Sequence, residues 1–193
     1  MKLIHCADIH LDSPMQTHMT AQQASVRNTE MLQSFVRLTE FAQERAVRAV
    51  LIAGDLFDGA RVRARTVDAL LAAIRRTPEV DYLYLPGNHD EAANAFCDCA
   101  LPGNLKLFGK TWSTVQYDGI AISGVQLGLD AAFYEALPHT DGAVNLVMLH
   151  GAIGTACAED VINLNLLKNR GIDYLALGHI HSYQTGPLDE TGS

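Results

Sequence analysis

A chain of 193 residues, 48% hydrophobic and 19% charged, suffices for one domain with its own core and needs no staples. Its net charge of −8 argues against a free-standing nucleic-acid clamp, and no apolar run approaches the roughly 20 residues that span a bilayer. Cys6, Cys97, Cys99 and Cys157 show no zinc spacing, and Met1–Ile4 does not open a signal peptide, so reduced thiols and a cytoplasmic setting without membrane contact are expected.

In chain order, Leu3–Ala7 reads as a buried strand ending at Asp8. A polar loop from His10 to about Arg27 follows, then a helix from about Thr29 to Val47 with Leu32, Phe35, Val36, Phe41 and Ala42 at helical spacing. Val50–Ala53 is a strand stopped by Gly54, and a helix over about Ala64 to Arg76 is closed by Pro78. Tyr82–Leu85 is the third strand. This alternation implies right-handed crossovers and a largely parallel sheet. Residues 105–125 read as a β meander broken by Gly109, Gly119 and Gly124. Asn145–Leu149 is a strand, about Glu159 to Asn169 a helix ending at Gly171, and Tyr174–Leu177 the last strand.

Polar motifs follow these strands: Asp8-Ile9-His10, Gly54-Asp55, Gly87-Asn88-His89-Asp90, His150-Gly151 and Gly178-His179-Ile180-His181. Ligands in open α/β sheets bind outside the carboxyl ends of strands, so these distant motifs are expected to share one rim. The glycines are expected to let the chain turn sharply there. Asp8, Asp55 and Asn88 offer oxygen, while His10, His150, His179 and His181 offer imidazole. Such a set suits a pair of divalent transition metals and lacks the thiolates of structural zinc. Two such ions add about four positive charges where an anionic substrate would sit, locally reversing the inference from net charge. A carboxylate such as Asp55 can bridge them, with a hydroxide between them as nucleophile. His5, His18 and His139 lack this placement and read as ordinary structural histidines.

At these residues the chain resembles the calcineurin-like metallophosphoesterase superfamily, whose pattern D-x-H, G-D, G-N-H-D/E, H and G-H-x-H is matched over residues 1 to about 183. Ala7–Pro14, Gly54–Asp58 and Leu85–Asp90 further resemble the bacterial DNA-repair exonucleases of the SbcD type. The resemblance implies an α/β fold, a four-layer α/β/β/α sandwich of two mixed sheets, and a single catalytic domain over 1–193. One metal would be held by Asp8, His10 and His181, the other by Asn88, His150 and His179, with Asp55 bridging. His89 would act in catalysis and Asp90 would orient it. Manganese is the expected metal, with iron(II) or zinc accepted by the same ligands.

The relatives continue past the last motif, whereas this chain stops at Ser193 after Leu188–Gly192. The resemblance therefore implies a catalytic domain or a short homologue, with the second sheet truncated. The expected activity is two-metal phosphodiester hydrolysis of DNA, with an SbcC-type ATPase as a possible partner. The oligomeric state is not indicated. Arg61, Arg63, Arg65, Arg75 and Arg76 could hold phosphates or form a solvated helix face. A nucleotide phosphodiesterase or pyrophosphatase is the alternative, favoured by the short chain and negative charge. A non-catalytic scaffold is disfavoured by the complete ligand set.

Overall fold

Strand residues alternate between two apolar surroundings, which fixes the layers. The computed structural model describes residues 1–15, 19–59, 62–90, 96, 99–126, 131–156 and 160–189. In β2 (Ala49–Ala53) and β3 (Asp81–Leu85), Val50, Ile52, Tyr82 and Tyr84 face helices α1 (Ala21–Glu44) and α2 (Ala64–Arg75). Their neighbours Ala49, Leu51, Ala53, Leu83 and Leu85 face the other way, onto Leu146 and Met148 of β7 (Val144–His150) and Ala176 of β10 (Tyr174–Gly178). A period of two thus covers both faces of one sheet.

The first sheet has the order β1-β2-β3-β4, all parallel, with β1 at Leu3–Cys6 and β4 at Leu105–Leu107. The second has the order β10-β7-β6-β5. In it β5 (Ser113–Tyr117) and β6 (Ile120–Gly124) form an antiparallel hairpin, and the remaining pairs are parallel. Val147 and Leu149 on its outer face pack with Tyr134 of the short helix α3 (Ala131–Glu135), Ile162 and Leu167. The result is the expected four-layer α/β/β/α sandwich.

Three expectations are corrected. The loop after β1 is shorter, because α1 starts at Ala21, where Thr20 Oγ1 accepts from Gln23 N–H (3.2 Å) and Gln23 Oε1 accepts from Thr20 N–H (2.8 Å). The expected meander divides, since β4 joins the first sheet and only β5 and β6 pair as a hairpin. In place of the helix expected to end at Asn169, β9 (Val161–Ile162) pairs with β8 (Ala152–Ile153), and a single 3₁₀ turn covers Leu164–Leu166. Asn163 Oδ1 accepts from Asn165 N–H (3.1 Å), a local bond that competes with helix. Cys97, Cys157, His18, Arg61, Glu159 and the tail from Glu190 lie outside the described residues. Among the described residues, no helix is long and apolar enough to cross a membrane.

At the amino ends of the strands, Asp81 joins the two sheets. Its Oδ2 accepts from Tyr117 Oη on β5 (2.7 Å), Arg48 Nη1 (3.0 Å) and Lys106 Nζ (3.3 Å), and Arg48 lies over the Tyr117 ring. Asp81→Ala leaves three donors without their acceptor, a loss of about 2 kcal/mol. The melting temperature is expected to fall by roughly 4–8 °C with activity retained, because the polar rim lies at the opposite strand ends.

Candidate metal centre

The chain leaves β1 and β2 side by side. Asp8 N–H donates to Gly54 O (3.0 Å), His10 N–H to Asp55 O (2.9 Å) and Leu11 N–H to Leu56 O (2.9 Å), with Leu11 and Phe57 fully buried as the apolar anchors. This paired path bends the backbone into the left-handed region at Asp8 (φ 54°), His10 (50°), Asp12 (63°) and Asp55 (51°), and His179 after β10 has φ 94°. Each such residue costs on the order of 1–3 kcal/mol and needs surrounding structure to hold it. Three of the five candidate motifs contain one or more of these strained positions, which turn their side chains toward the rim.

All seven expected ligands converge. Asp8, His10 and His181 form one group and Asp55, His150 and His179 another, with the donor atoms of each within 4.8 Å of one another. His10 Nε2 is 3.1 Å from His181 Nε2. Asn88 Oδ1 is 3.0 Å from His150 Nε2 and 3.2 Å from His179 Nδ1. Asp55 Oδ2 lies between the groups, 3.2 Å from His150 Nε2 and 3.7 Å from His10 Nε2.

The chemistry of this donor set fits a cation. His150 Nδ1 donates to Ala53 O (2.9 Å), so the neutral ring turns an Nε2 lone pair toward Asp55 Oδ2 and Asn88 Oδ1. Three lone pairs then face one another, an arrangement that positive charge relieves. Burial pushes the His150 pKa down, yet the Asp55 carboxylate, the Ala53 carbonyl and the field of Asp8 raise it overall. Burial likewise pushes Asp55 up, but bonds from His150 and the His89 N–H hold it below the usual carboxylate range. The two shifts are reciprocal, each group favouring the charged form of the other.

Three motif glycines give His150 its space. A Cβ on Gly54 would run into the imidazole, one on Gly87 would strike Asp55 Oδ1 and lie 2.7 Å from His150 Nε2, and one on Gly178 would strike the Ala53 carbonyl. Only Gly54 has a positive φ (91°), so for Gly87 and Gly178 the requirement is close approach and not the sharp turn expected.

Catalytic expectations need one correction. His89 Nδ1 lies 3.2 Å from Asp58 Oδ1, so Asp58, and not Asp90, is its carboxylate partner. Asp90 is instead a buried tie between loops, accepting from Leu56 N–H (3.1 Å), Phe57 N–H (2.7 Å) and Gly87 N–H (2.9 Å). Burial raises its pKa despite those bonds. A signal for Asp58 existed in the sequence, a second carboxylate three residues past Asp55.

Two arginines of the cluster, Arg63 and Arg75, are committed to protein acceptors. Arg63 is bound to Asp12, whose carboxylate also accepts from Thr66 Oγ1 (3.0 Å), and Arg75 donates to Ala100 O. His5 ties the edge strands of the two sheets through Tyr174 Oη (2.9 Å) and Leu177 O (3.1 Å), while exposed His139 pairs with Asp141. Cys6 has its thiol pKa pushed up to about 12 by burial, so it is unreactive.

Gly87→Ala is expected to displace Asp55 and His150 together. Manganese affinity measured by calorimetry should fall by roughly 10–100-fold, while circular dichroism keeps the native signal.

The chain is 27% identical over 95% of its length to the uncharacterized metallophosphoesterase YhaO of Bacillus subtilis (strain 168), and 26% identical over 94% to the DNA double-strand break repair protein Mre11 of Methanopyrus kandleri. It covers 49% and 44% of those proteins, about half the length of each. A solved structure, the Pseudomonas putida nuclease MPE, is 18% identical, with 75% of this chain and 58% of that one covered at a TM-score of 0.32. The calcineurin-like phosphoesterase profile matches residues 1–183. With nearly its whole length matched and three overlapping groups of side chains able to hold a metal on one rim, the chain belongs to the calcineurin-like phosphoesterases, a family of metal-dependent enzymes.

Proposed function

We propose that this chain is a catalytic domain that hydrolyses phosphodiesters with two divalent metals, and that its substrate is DNA. The observation that carries the reading is the placement of Asp55, whose Oδ2 faces both histidine groups at once. Asp8, His10 and His181 would hold one ion and Asn88, His150 and His179 the other, with Asp55 shared. Bound divalent ions supply Lewis-acid charge and lower the pKa of water toward neutrality.

The remaining work falls to side chains of this domain. His89 is half exposed at the rim, beside Asn88, where a bound phosphodiester can reach it. Its Nδ1 is held by Asp58, which leaves Nε2 free to give a proton to the leaving oxygen. Its backbone N–H donates to Asp55 Oδ1 (3.0 Å), fixing the ring's base against the shared carboxylate. Positioning and charge, with one proton transfer, are what phosphoryl chemistry asks of a protein.

The DNA assignment rests on the Mre11 relative and on the SbcD-type motifs. Manganese, a cytoplasmic setting and an SbcC-type ATPase partner belong to the same reading through that resemblance. A nucleotide phosphodiesterase is the second reading, and a specific observation favours it: Arg63 and Arg75 are committed to protein acceptors, and the net charge is −8.

End-labelled duplex DNA incubated with the purified chain and manganese should be shortened, and His89→Ala should lose that activity by roughly 10²–10⁴-fold with metal binding retained. Intact DNA alongside hydrolysis of a small aryl phosphodiester would select the nucleotide reading. Asp55→Ala is expected to lose activity and metal together; equal metal loss in the His89 and Asp55 variants would overturn the division of roles.

A further inference from the structure

The inference concerns how His89 is aimed, and it rests on the reading of His89 as the proton donor. Asp58 lies between two imidazoles, with Oδ1 3.2 Å from His89 Nδ1 and Oδ2 4.0 Å from His10 Nδ1. His10 Nδ1 is buried and has no hydrogen-bond partner among the described residues. A buried unpaired nitrogen is costly, so a freely turning carboxylate would gain by moving toward His10 and away from His89. Rotation about the Cβ–Cγ bond of Asp58 is soft enough to allow it.

Ser13 opposes that rotation. Its Oγ donates to Asp58 Oδ2 at 2.6 Å, occupying the oxygen that His10 would otherwise draw in. Ser13 is itself tethered on two sides. Its N–H donates to His10 O (3.2 Å), and its carbonyl accepts from Asn28 Nδ2 on α1 (3.0 Å). Among the described residues Asn28 Oδ1 is buried without a partner, so the amide is tied through its bond to Ser13. A loop hydroxyl is thus clamped between a helix and the carboxylate that holds the proton donor.

We propose that Ser13 is a positioning residue for catalysis: its hydroxyl assigns the Asp58 carboxylate to His89 in preference to His10, and Asn28 holds Ser13 in place. No metal ligand is contributed by either residue. The effect is confined to how well His89 presents its Nε2 proton, and it therefore matters most where the leaving oxygen is basic.

The test compares a dinucleotide phosphodiester, whose alkoxide leaving group needs a proton, with a p-nitrophenyl phosphodiester, whose leaving group needs little. Rates are measured with manganese for the wild-type chain, Ser13→Ala, Ser13→Thr, Asn28→Ala and His89→Gln, with manganese affinity by calorimetry on each. Ser13→Ala should lose roughly 10-fold on the dinucleotide and less than about twofold on the aryl ester, at unchanged manganese affinity. Ser13→Thr should restore the rate, and Ser13→Ala combined with His89→Gln should be no slower than His89→Gln alone. Asn28→Ala, which loosens Ser13 but keeps its hydroxyl, should show the same selectivity more weakly and carries the test if Ser13→Ala does not fold.

Equal loss on both substrates, weaker manganese binding, or wild-type rates on both would overturn the proposal. A selective His89→Gln with an unselective Ser13→Ala removes the role of Ser13 alone. A His89→Gln that slows both substrates alike removes the reading of His89, and the proposal with it.

Discussion

The hydrogen bond from His150 Nδ1 to the Ala53 carbonyl joins the last residue of a central strand in one sheet to the last residue of a central strand in the other. It turns Nε2 toward Asp55 and Asn88, and it requires the two sheets to approach so closely that Gly54, Gly87 and Gly178 have no room for a side chain. The rest of the rim follows from this contact. Small residues such as Ala49, Ala53 and Ala176 line the space between the sheets, while bulky Tyr82 and Tyr84 turn to the helix side. The inter-sheet core is thus thin where the site needs it to be, and the larger apolar load is carried by α1 and α2.

Holding the donors has an energetic consequence. Left-handed backbone at Asp8, His10, Asp55 and His179 is unfavourable in isolation, and it persists because neighbouring segments fix it. The paired run after β1 and β2, the Asp90 tie between the loops after β2 and β3, and the bond from His179 N–H to Asp8 Oδ1 (2.8 Å) each remove a route by which the strain could relax. Opposite these loops, Asp81 closes the other end of the sandwich with its own three donors. Polar groups at both ends bracket an apolar middle.

Much of this was legible in the sequence, for reasons that differ by element. Strands such as Val50–Ala53 and Tyr82–Leu85 are uninterrupted apolar runs because both faces are covered, and their ends expose the ligands as the first polar residues after each run. The start of α1 was not legible from periodicity, since most residues from Ala21 to Ser34 are exposed and the apolar stripe begins in earnest at Phe35. Val161–Leu167 has helical density of apolar residues, but Asn163 and Asn165 bond locally and break it into a short strand and one turn. The partners of His89 were missed for another reason. The spacing of Asp58 from Asp55 marks a second carboxylate, but Asp58 and Ser13 become the support of His89 only because loops from three strands meet, which the spacing does not record.

The bond from His179 to Asp8 spans 171 positions, and His10 meets His181 across the same separation. Ribosomal synthesis proceeds from the amino terminus, so β1 to β4, with Asp8, His10, Asp55, Asn88 and His89, emerge before any member of the second sheet. During that interval the groups built on Asp8 and on Asp55 are both incomplete, because each draws a histidine from the segment after β10, whereas His10, Asp58 and His89 are already together. The two groups that meet at Asp55 and Asp8 are therefore closed only when the last strand docks, so the rim takes its final form at the end of folding.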